Sequence, residues 1–204
     1  MKLLLVRHGE TDWNFAHRYQ GQSAVSLNQK GFQQAEQLAS RLSHERIDAV
    51  YSSDSPRALE TATQVLNLQE QAPALQKDAR WQEICFGAWD GLTYEEVEAK
   101  WKREVTAWYA DPVNSSPPGG ETMLQMSKRL QSAWNDLKSN HEDDTVLIVT
   151  HGGVIQILLC MLLGVELDRY WQFRVAQASL TVIQLYAEAA ILDLFNDVSH
   201  LKVS

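Results

Sequence analysis

Two arginines and two histidines stand out because each follows a short apolar run or a helix-start signal. They are Arg7, His8, Arg57 and His151. Guanidinium groups bind phosphate oxygens in pairs, and a neutral imidazole is a competent nucleophile toward phosphorus. Several cationic side chains around one small pocket also offset the charge on a phosphoryl group during its transfer. These residues therefore predict phosphoryl transfer through a histidine, provided that the fold brings them together.

Displacement of an alkoxide from phosphorus also needs a proton donor, and Glu83 is our candidate for this role. A glutamate could protonate the leaving oxygen and then activate a water molecule in a second step. Glu10 follows His8 directly, but closeness in sequence does not place it on the leaving-group side, and we assign it a structural role. A zinc site of His8, Glu83 and His151 ranks low because two nearby arginines would repel a dication. We predict no metal and no other cofactor.

Five short apolar segments have the length and composition of strands. They are residues 2–6, 47–51, 145–150, 179–186 and 190–195. In an open parallel sheet, the carboxyl ends of adjacent strands lie about 5 Å apart and form the ligand site. Because Arg7 and His8 follow the first segment and His151 follows the third, we expect these residues to converge at one edge of the sheet. Arg57 reaches the same edge from a helix that starts shortly after the second segment.

Helical spacing or helix-start signals cover residues 28–42, 55–66, 93–101, 122–138 and 154–163. The alternation of strands and helices predicts an α/β fold with a mostly parallel central sheet flanked by helices on both faces. The last two strands are close enough in sequence to pair as a hairpin.

Residues 84–120 contain no clear strand and many aromatic side chains. We interpret this segment as a small helical lid, inserted in one domain that spans residues 1–204. Trp89, Trp101 and Trp108 lie in the segment. We interpret these tryptophans as packing residues first, with the substrate side of the lid as the alternative.

Composition narrows the classes of function. The 204 residues carry a net charge of −8, and an acidic surface argues against a general nucleic-acid binder. Residues 1–6 are too short an apolar run for a signal peptide, and the longest apolar stretch, 154–165, is far short of a membrane span. Cys85 and Cys160 have no metal-ligand spacing, and Cys160 lies in a core-like run. We expect a cytoplasmic protein that binds neither nucleic acid nor membrane.

The segment Leu5-Val6-Arg7-His8-Gly9-Glu10-Thr11 resembles the signature of the histidine phosphatase superfamily, the phosphoglycerate mutase-like proteins. Further matches in the same order extend this resemblance over nearly the whole chain. They are Asn14, Tyr19-Gln20-Gly21, Leu27 with Gly31, Ser52-Ser53, Arg57-Ala58, Thr61-Ala62, Glu83, Phe86-Gly87, Gly119-Gly120-Glu121-Thr122 and Thr150-His151-Gly152-Gly153. The motif at His8 is moderately specific by itself, whereas the ordered set is highly specific.

The resemblance implies a role for each matching position. His8 matches the phosphorylated histidine, and Glu83 matches the proton donor. The positions that match phosphate-binding residues are Arg7, Arg57 and His151. The positions that match groups around the bound phosphate or substrate are Asn14, Gln20, Gly21 and the amide of Gly152.

The resemblance also implies a function: metal-independent hydrolysis of a small phosphomonoester through a phosphohistidine. Candidate substrates are α-ribazole phosphate-like compounds, phosphoserine and sugar phosphates, and residues 170–175 resemble α-ribazole phosphatases and broad-specificity bacterial relatives. Cofactor-dependent phosphoglycerate mutase is the first alternative, but residues 86–96 lack that group's lysine and arginine pair and are acidic. A non-catalytic phospholigand-binding module is the second alternative. Whether the protein is a homodimer is left open.

Overall fold

The computed structural model describes residues 1–187 and 189–201. Its strands are β1 (Lys2–Arg7), β2 (Ala49–Ser52), β3 (Leu75–Lys77), β4 (Thr145–Thr150), β5 (Leu180–Leu185) and β6 (Ala190–Asp197). Within the described residues they form one sheet in the order β3-β2-β4-β1-β5-β6. The strands β3, β2, β4 and β1 run parallel to one another. β5 pairs antiparallel with β1, and β6 pairs antiparallel with β5. The predicted mostly parallel sheet and the C-terminal hairpin are both confirmed.

Sequence analysis missed β3, which is a short strand at the edge of the sheet. It has three residues, and only Leu75 is apolar, whereas Gln76 and Lys77 are exposed. Such a strand has no hydrophobic alternation to detect, and a lysine on an edge strand discourages pairing with another chain.

The register of β1 against β4 sets the position of the site. Arg7 pairs with Thr150 across these two strands, so His8 and His151 follow at the same edge of the sheet. On the other side of β4, β2 ends at Ser52, and the loop that leads to the next helix starts there. Three strand ends therefore meet as expected.

Helices cover both faces of the sheet, as predicted. They are α1 (Asp12–Phe15), α2 (Gln29–Leu42), α3 (Pro56–Asn67), α4 (Tyr94–Ala110), α5 (Met123–Asn140) and α6 (Gly152–Leu163). Alternate side chains of β1 enter opposite cores, because successive strand residues point to opposite faces. Leu3 and Leu5 pack with α5 and α6, whereas Leu4 and Val6 pack with α2 and α3. No helix among the described residues is long and apolar enough to cross a membrane.

Residues 84–120 form a 3₁₀ turn (Gly87–Trp89), then α4, then a loop. The backbone inside α4 leaves helical geometry at Trp101, where φ is −132° and ψ is 44°. Trp89 and Trp108 are buried in the larger core, and Trp101 packs against it. The segment therefore shares the core of the domain, which supports the packing interpretation of its tryptophans.

A close approach of two glycines fixes the loop that follows β1. A Cβ atom at Gly9 or at Gly31 would overlap the backbone of the facing segment, so only glycine fits at either position. The Glu10 side chain accepts a hydrogen bond from Asn28 Nδ2 at 3.1 Å and forms an ion pair with Lys30 Nζ at 2.8 Å. These contacts anchor the loop to the start of α2, which agrees with the structural role assigned to Glu10.

Candidate active site

The Arg57 guanidinium is the centre of the site, and it is fully buried in the first turn of α3. Its terminal nitrogens donate to the carbonyl oxygens of Gly21 at 2.6 Å and Ser23 at 2.9 Å. Its Nε donates to His8 Nε2 at 3.3 Å, and a terminal nitrogen donates to His151 Nδ1 at 3.2 Å. One buried cation therefore joins the two histidines that sequence analysis placed at neighbouring strand ends.

His8 is held in the tautomer of a nitrogen nucleophile. Its Nδ1 lies 2.7 Å from the carbonyl oxygen of Gly9, which can only accept, so the proton is on Nδ1 and the lone pair is on Nε2. Burial, and then the positive charges of Arg57 and Arg7, hold the pKa of His8 well below its ordinary value of 6.5. The imidazole is therefore neutral at physiological pH, the form that attacks phosphorus.

The loop before α3 fixes His151. Ser55 lies at the N-cap with Pro56 next, as predicted, but its hydroxyl does not cap the helix. Instead the hydroxyls of Ser55 and Ser53 lie 3.2 Å and 2.9 Å from His151 Nε2. Because Nδ1 of this ring accepts from Arg57, Nε2 carries the proton and donates to the serines. Burial, and then the charge of Arg57, lower the pKa of His151 well below its ordinary value.

Arg7 supplies a second cation beside the histidines. It donates to the carbonyl oxygen of Val175 at 2.6 Å, while its Nε is buried and has no partner in the part of the chain that is described. A Cβ atom at Gly152 would lie 3.5 Å from the guanidinium carbon, so Arg7 packs directly on the start of α6. A buried guanidinium donor without a protein partner fits a phosphate oxygen.

Glu83 lies at the start of α6, opposite the arginines. One carboxylate oxygen accepts from the amide of Gly153 at 3.0 Å and the other from the amide of Ile84 at 2.9 Å. A Cβ atom at Gly153 would overlap this carboxylate, so the absence of a side chain there makes room for Glu83. Burial lowers the pKa of Arg57 to about 10, and the negative charge of Glu83 opposes that shift.

An ion pair between Arg129 on α5 and Glu121, two residues before α5 begins, holds the backbone of Glu83. Arg129 forms two hydrogen bonds to the carboxylate of Glu121, at 2.8 Å and 3.0 Å. The same guanidinium donates to the carbonyl oxygens of Glu83 at 3.0 Å and Arg80 at 2.7 Å. Sequence analysis noted Glu121 only as part of a motif and missed Arg129, because contacts to backbone carbonyls leave no pattern in the sequence. Arg129 therefore positions the candidate acid without contacting its carboxylate.

Gln20 and Asn14, two of the predicted substrate contacts, are linked through Thr11. The Thr11 hydroxyl lies 3.0 Å from Gln20 Oε1 and 3.1 Å from Asn14 Oδ1. Gln20 is buried, and its Nε2 has no partner among the described residues. Asn14 also accepts from the Thr11 amide at 3.2 Å as part of the capping box of α1. Gln20 Nε2 is therefore a buried donor that suits an anionic ligand.

Gly21, a third predicted contact, is held by Asp90, a residue that sequence analysis missed. Its amide donates to Asp90 Oδ1 at 2.7 Å, and the Ser23 hydroxyl bonds to the other carboxylate oxygen. The carbonyls of these same two residues orient Arg57. Asp90 therefore holds the loop whose carbonyl oxygens bind the Arg57 guanidinium. The Gly21 amide is engaged by its hydrogen bond to Asp90. No spacing in the sequence links Asp90 to this loop.

The assembled site can bind a phosphate dianion against a neutral nucleophile. The buried guanidinium of Arg57 and the partly buried one of Arg7 lie beside His8 and His151, whose ring centroids are 5.2 Å apart. The Glu83 carboxylate is fixed on the α6 side of the pocket. In residues 1–187 and 189–201, no group of three His, Cys, Asp or Glu side chains has the arrangement of a metal site. The arrangement supports transfer of a phosphoryl group to His8 Nε2.

The lowered pKa of His8 can be measured by NMR titration. An imidazole whose pKa lies well below 6.5 becomes protonated only at a pH below the range in which free imidazole titrates. We expect the His8 Cε1–H signal to keep its neutral-form chemical shift from pH 7.5 to about pH 6. The signal is assigned by its absence in His8→Gln. A titration midpoint of the His8 signal near 6.5 in the folded protein, equal to that in the urea-unfolded protein, would contradict the lowered pKa.

Removal of Asp90 tests whether it orients Arg57. Asp90→Ala frees the Gly21 amide and the Ser23 hydroxyl, so the carbonyls that hold the guanidinium lose their anchor. We expect the affinity for inorganic phosphate, measured by calorimetry, to fall by about tenfold, with a smaller loss in Asp90→Asn. Loss of a negative charge alone would strengthen anion binding. The exposed Asp193 on β6, in Asp193→Ala, is the matched charge control, and equal behaviour of the two alanine variants would rule out the positioning role.

Comparison with known proteins identifies the family. The model of the histidine phosphatase superfamily (branch 1) matches residues 3–198. Phosphoserine phosphatase 1 of Hydrogenobacter thermophilus is 33% identical over 98% of this chain and 94% of its own length. The adenosylcobalamin/α-ribazole phosphatase of Salmonella typhimurium is 32% identical over 96% of both chains. The crystal structure of the α-ribazole phosphatase from Shigella flexneri superposes with a TM-score of 0.90 at 30% identity, covering 97% of this chain and 96% of that one. The chain therefore belongs to the histidine phosphatase superfamily, branch 1.

Proposed function

We propose that the protein hydrolyses small phosphomonoesters through a phosphohistidine at His8 and needs no metal. The observation that carries this proposal is the contact of one buried guanidinium, Arg57, with both His8 Nε2 and His151 Nδ1. A phosphate at this point would meet a nucleophile, two arginine cations and an imidazole at once. The phosphatases among its relatives support the same reaction class.

The first step forms a phosphoenzyme. The Nε2 lone pair of His8 attacks phosphorus, the ester P–O bond breaks, and the leaving alkoxide takes a proton from the Glu83 carboxyl group. Arg7 and Arg57 stabilise the charge on the phosphoryl oxygens during the transfer. In the second step, water gives a proton to the Glu83 carboxylate, and the oxygen of this water attacks phosphorus. The P–N bond then breaks, which releases phosphate and restores neutral His8.

The acidic segment after Glu83 favours hydrolysis over the mutase alternative. A phosphoglycerate mutase must hold the carboxylate and second phosphate of its substrate, which requires extra cations. Asp90, Glu95 and Glu96 lie in this segment, and its neighbour Arg18 is engaged by the Gly91 carbonyl at 2.6 Å and by Glu96 at 3.1 Å. A rate of 3-phosphoglycerate isomerisation above the rate of phosphate release would reverse this ranking.

Replacement of the nucleophile tests the function directly. His8→Ala removes the only atom to which the phosphoryl group is transferred in this mechanism. Turnover of p-nitrophenyl phosphate in EDTA should therefore fall by about a thousandfold or more, and no acid-labile phosphoenzyme should be trapped. His44→Ala, at an exposed histidine, is the control and should keep the wild-type rate. Wild-type activity that is lost in EDTA and restored by zinc would contradict the metal-independent mechanism.

The proton-donor role of Glu83 predicts a dependence on the leaving group. Glu83→Gln keeps the shape of the side chain but cannot give a proton, so alkyl phosphates should slow by about a hundredfold or more. p-Nitrophenyl phosphate should slow much less, because its leaving group barely needs a proton. Glu10→Gln, at the glutamate next to the nucleophile, should leave the ratio of the two rates unchanged. Equal slowing of both substrates in Glu83→Gln would remove Glu83 from the acid role.

A further inference from the structure

Residues 175–179, which we call the support segment, lead into β5 and contact the end of β1 from the side opposite β4. The Val175 carbonyl oxygen accepts a hydrogen bond from the Arg7 guanidinium at 2.6 Å. The Ala178 amide donates to the His8 carbonyl oxygen at 3.1 Å. The proposed nucleophile and the cation beside it are therefore held by one short piece of backbone, and whatever fixes this piece also fixes them.

Ala178 has a backbone conformation that alanine rarely adopts. Its φ is 53°, in the left-handed region, and the residue is fully buried. A strained residue of this kind persists only where its surroundings hold it, and such residues gather at functional sites. The Ala178 amide binds the His8 carbonyl, and the Ala178 carbonyl oxygen lies 3.0 Å from His200 Nε2. Ala178 is therefore a direct link between His200 and His8.

His200 is a half-buried histidine that no step of the proposed mechanism uses. Its Nδ1 is shielded from solvent and has no partner in residues 1–187 and 189–201. Burial lowers the pKa of His200, and the Ala178 carbonyl and the charge of Asp197 oppose this shift. Because a carbonyl oxygen can only accept, the proton of the neutral ring is on Nε2, which donates to Ala178. The ring is therefore an uncharged donor to the support segment.

A bulge in β6 directs a second side chain to the support segment. Two residues of β6, Phe195 and Asn196, oppose the single residue Thr181 of β5. Asn196 has a φ of 53°, which asparagine tolerates better than most residues, and its amide donates to Thr181 Oγ1 at 3.1 Å. Its side-chain oxygen accepts from the Ala176 amide at 2.7 Å. Bulges are common next to active sites, where they redirect a side chain, and this one connects β6 to the support segment.

We propose that Asn196 and His200 are positioning residues for phosphoryl transfer. Both bind the backbone of the support segment, and that backbone binds Arg7 and His8. They act through the support segment and are not catalytic residues. The inference rests on the proposed function, and it extends the machinery of the site to two side chains from the C-terminal part of the chain.

Paired substitutions separate the two hydrogen bonds from the packing of the side chains. Asn196→Gly keeps the left-handed backbone but removes the acceptor, whereas Asn196→Asp keeps an acceptor oxygen at the same place. His200→Phe keeps a ring but removes the donor. His200→Gln keeps a donor, because the glutamine amide nitrogen is as many bonds from Cβ as Nε2 of histidine.

Turnover of p-nitrophenyl phosphate is the first measurement, at a temperature at which circular dichroism shows every variant to be folded. We expect kcat to fall by about tenfold in Asn196→Gly and in His200→Phe, because a small displacement of the reacting groups is costly. Asn196→Asp and His200→Gln should stay within about threefold of the wild-type kcat. Leu192→Ala removes a half-buried core contact on the same strand, so it should lower the melting temperature and leave kcat unchanged.

Binding of inorganic phosphate, measured by calorimetry, separates this inference from the proposed function because it needs no turnover. We expect about three- to tenfold weaker binding in Asn196→Gly and His200→Phe, since Arg7 is displaced, and wild-type affinity in Leu192→Ala. These losses in a protein that forms no phosphoenzyme would support the positioning role and contradict the proposed function.

Three outcomes would overturn the positioning role. They are wild-type kcat and phosphate affinity in both Asn196→Gly and His200→Phe, equal losses in the variants that keep the hydrogen bond, and an equal loss of kcat in Leu192→Ala. A loss in only one of Asn196→Gly and His200→Phe would remove the other residue from the role.

Discussion

The buried charge of Arg57 is the interaction on which the rest of the site depends. A guanidinium without solvent is costly unless its donors are satisfied, and here two backbone carbonyls and two imidazole nitrogens satisfy them. None of these four partners is an anion. The positive charge of Arg57 is therefore stabilised by hydrogen bonds but is not neutralised. Glu83 and Asp90 act on it only through space and raise its pKa against the larger effect of burial. A dianionic ligand would complete the neutralisation.

Burial of the rings, and then the same charge, decide the protonation of the histidines. His8 is buried beside Arg57 and Arg7, so it loses its proton more readily than a free imidazole. Burial of His8 and the two neighbouring cations thus keep the proposed nucleophile neutral without a dedicated base. The Gly9 carbonyl then selects the tautomer by accepting from Nδ1. The proposed phosphate affinity and the lowered pKa of His8 therefore share the charge of Arg57 as a contribution, and a change at Arg57 would alter both.

The residues that we propose to contact the phosphate could be found from sequence because they lie at positions with local signals. Arg7, His8 and His151 directly follow strands, and Arg57 follows a proline-marked helix start, so the fold class alone placed them together. Asp90 and Arg129 could not be found in this way. Asp90 binds the Gly21 amide and Arg129 binds the Glu83 carbonyl, which are backbone groups more than 40 positions distant, and any residue type supplies such groups. The short helix α1 and the edge strand β3 contribute little to the core. Their sequences therefore have no hydrophobic periodicity from which they could be predicted.

The supports of the site fall into separate parts of the chain, and this separation bears on specificity. The proposed phosphate-binding groups stand on strand ends and on α3, where a shift of one residue would disturb the central sheet. The backbone of Glu83, the proposed acid, is held from α5 by Arg129, whereas Trp108, Tyr109, Tyr170 and Trp171 line a cavity between the end of α4 and the segment after α6. Exposed rings such as Trp171 contribute little to the core, so their replacement costs little stability. Substitutions at these exposed rings therefore leave the proposed phosphate-binding groups in place.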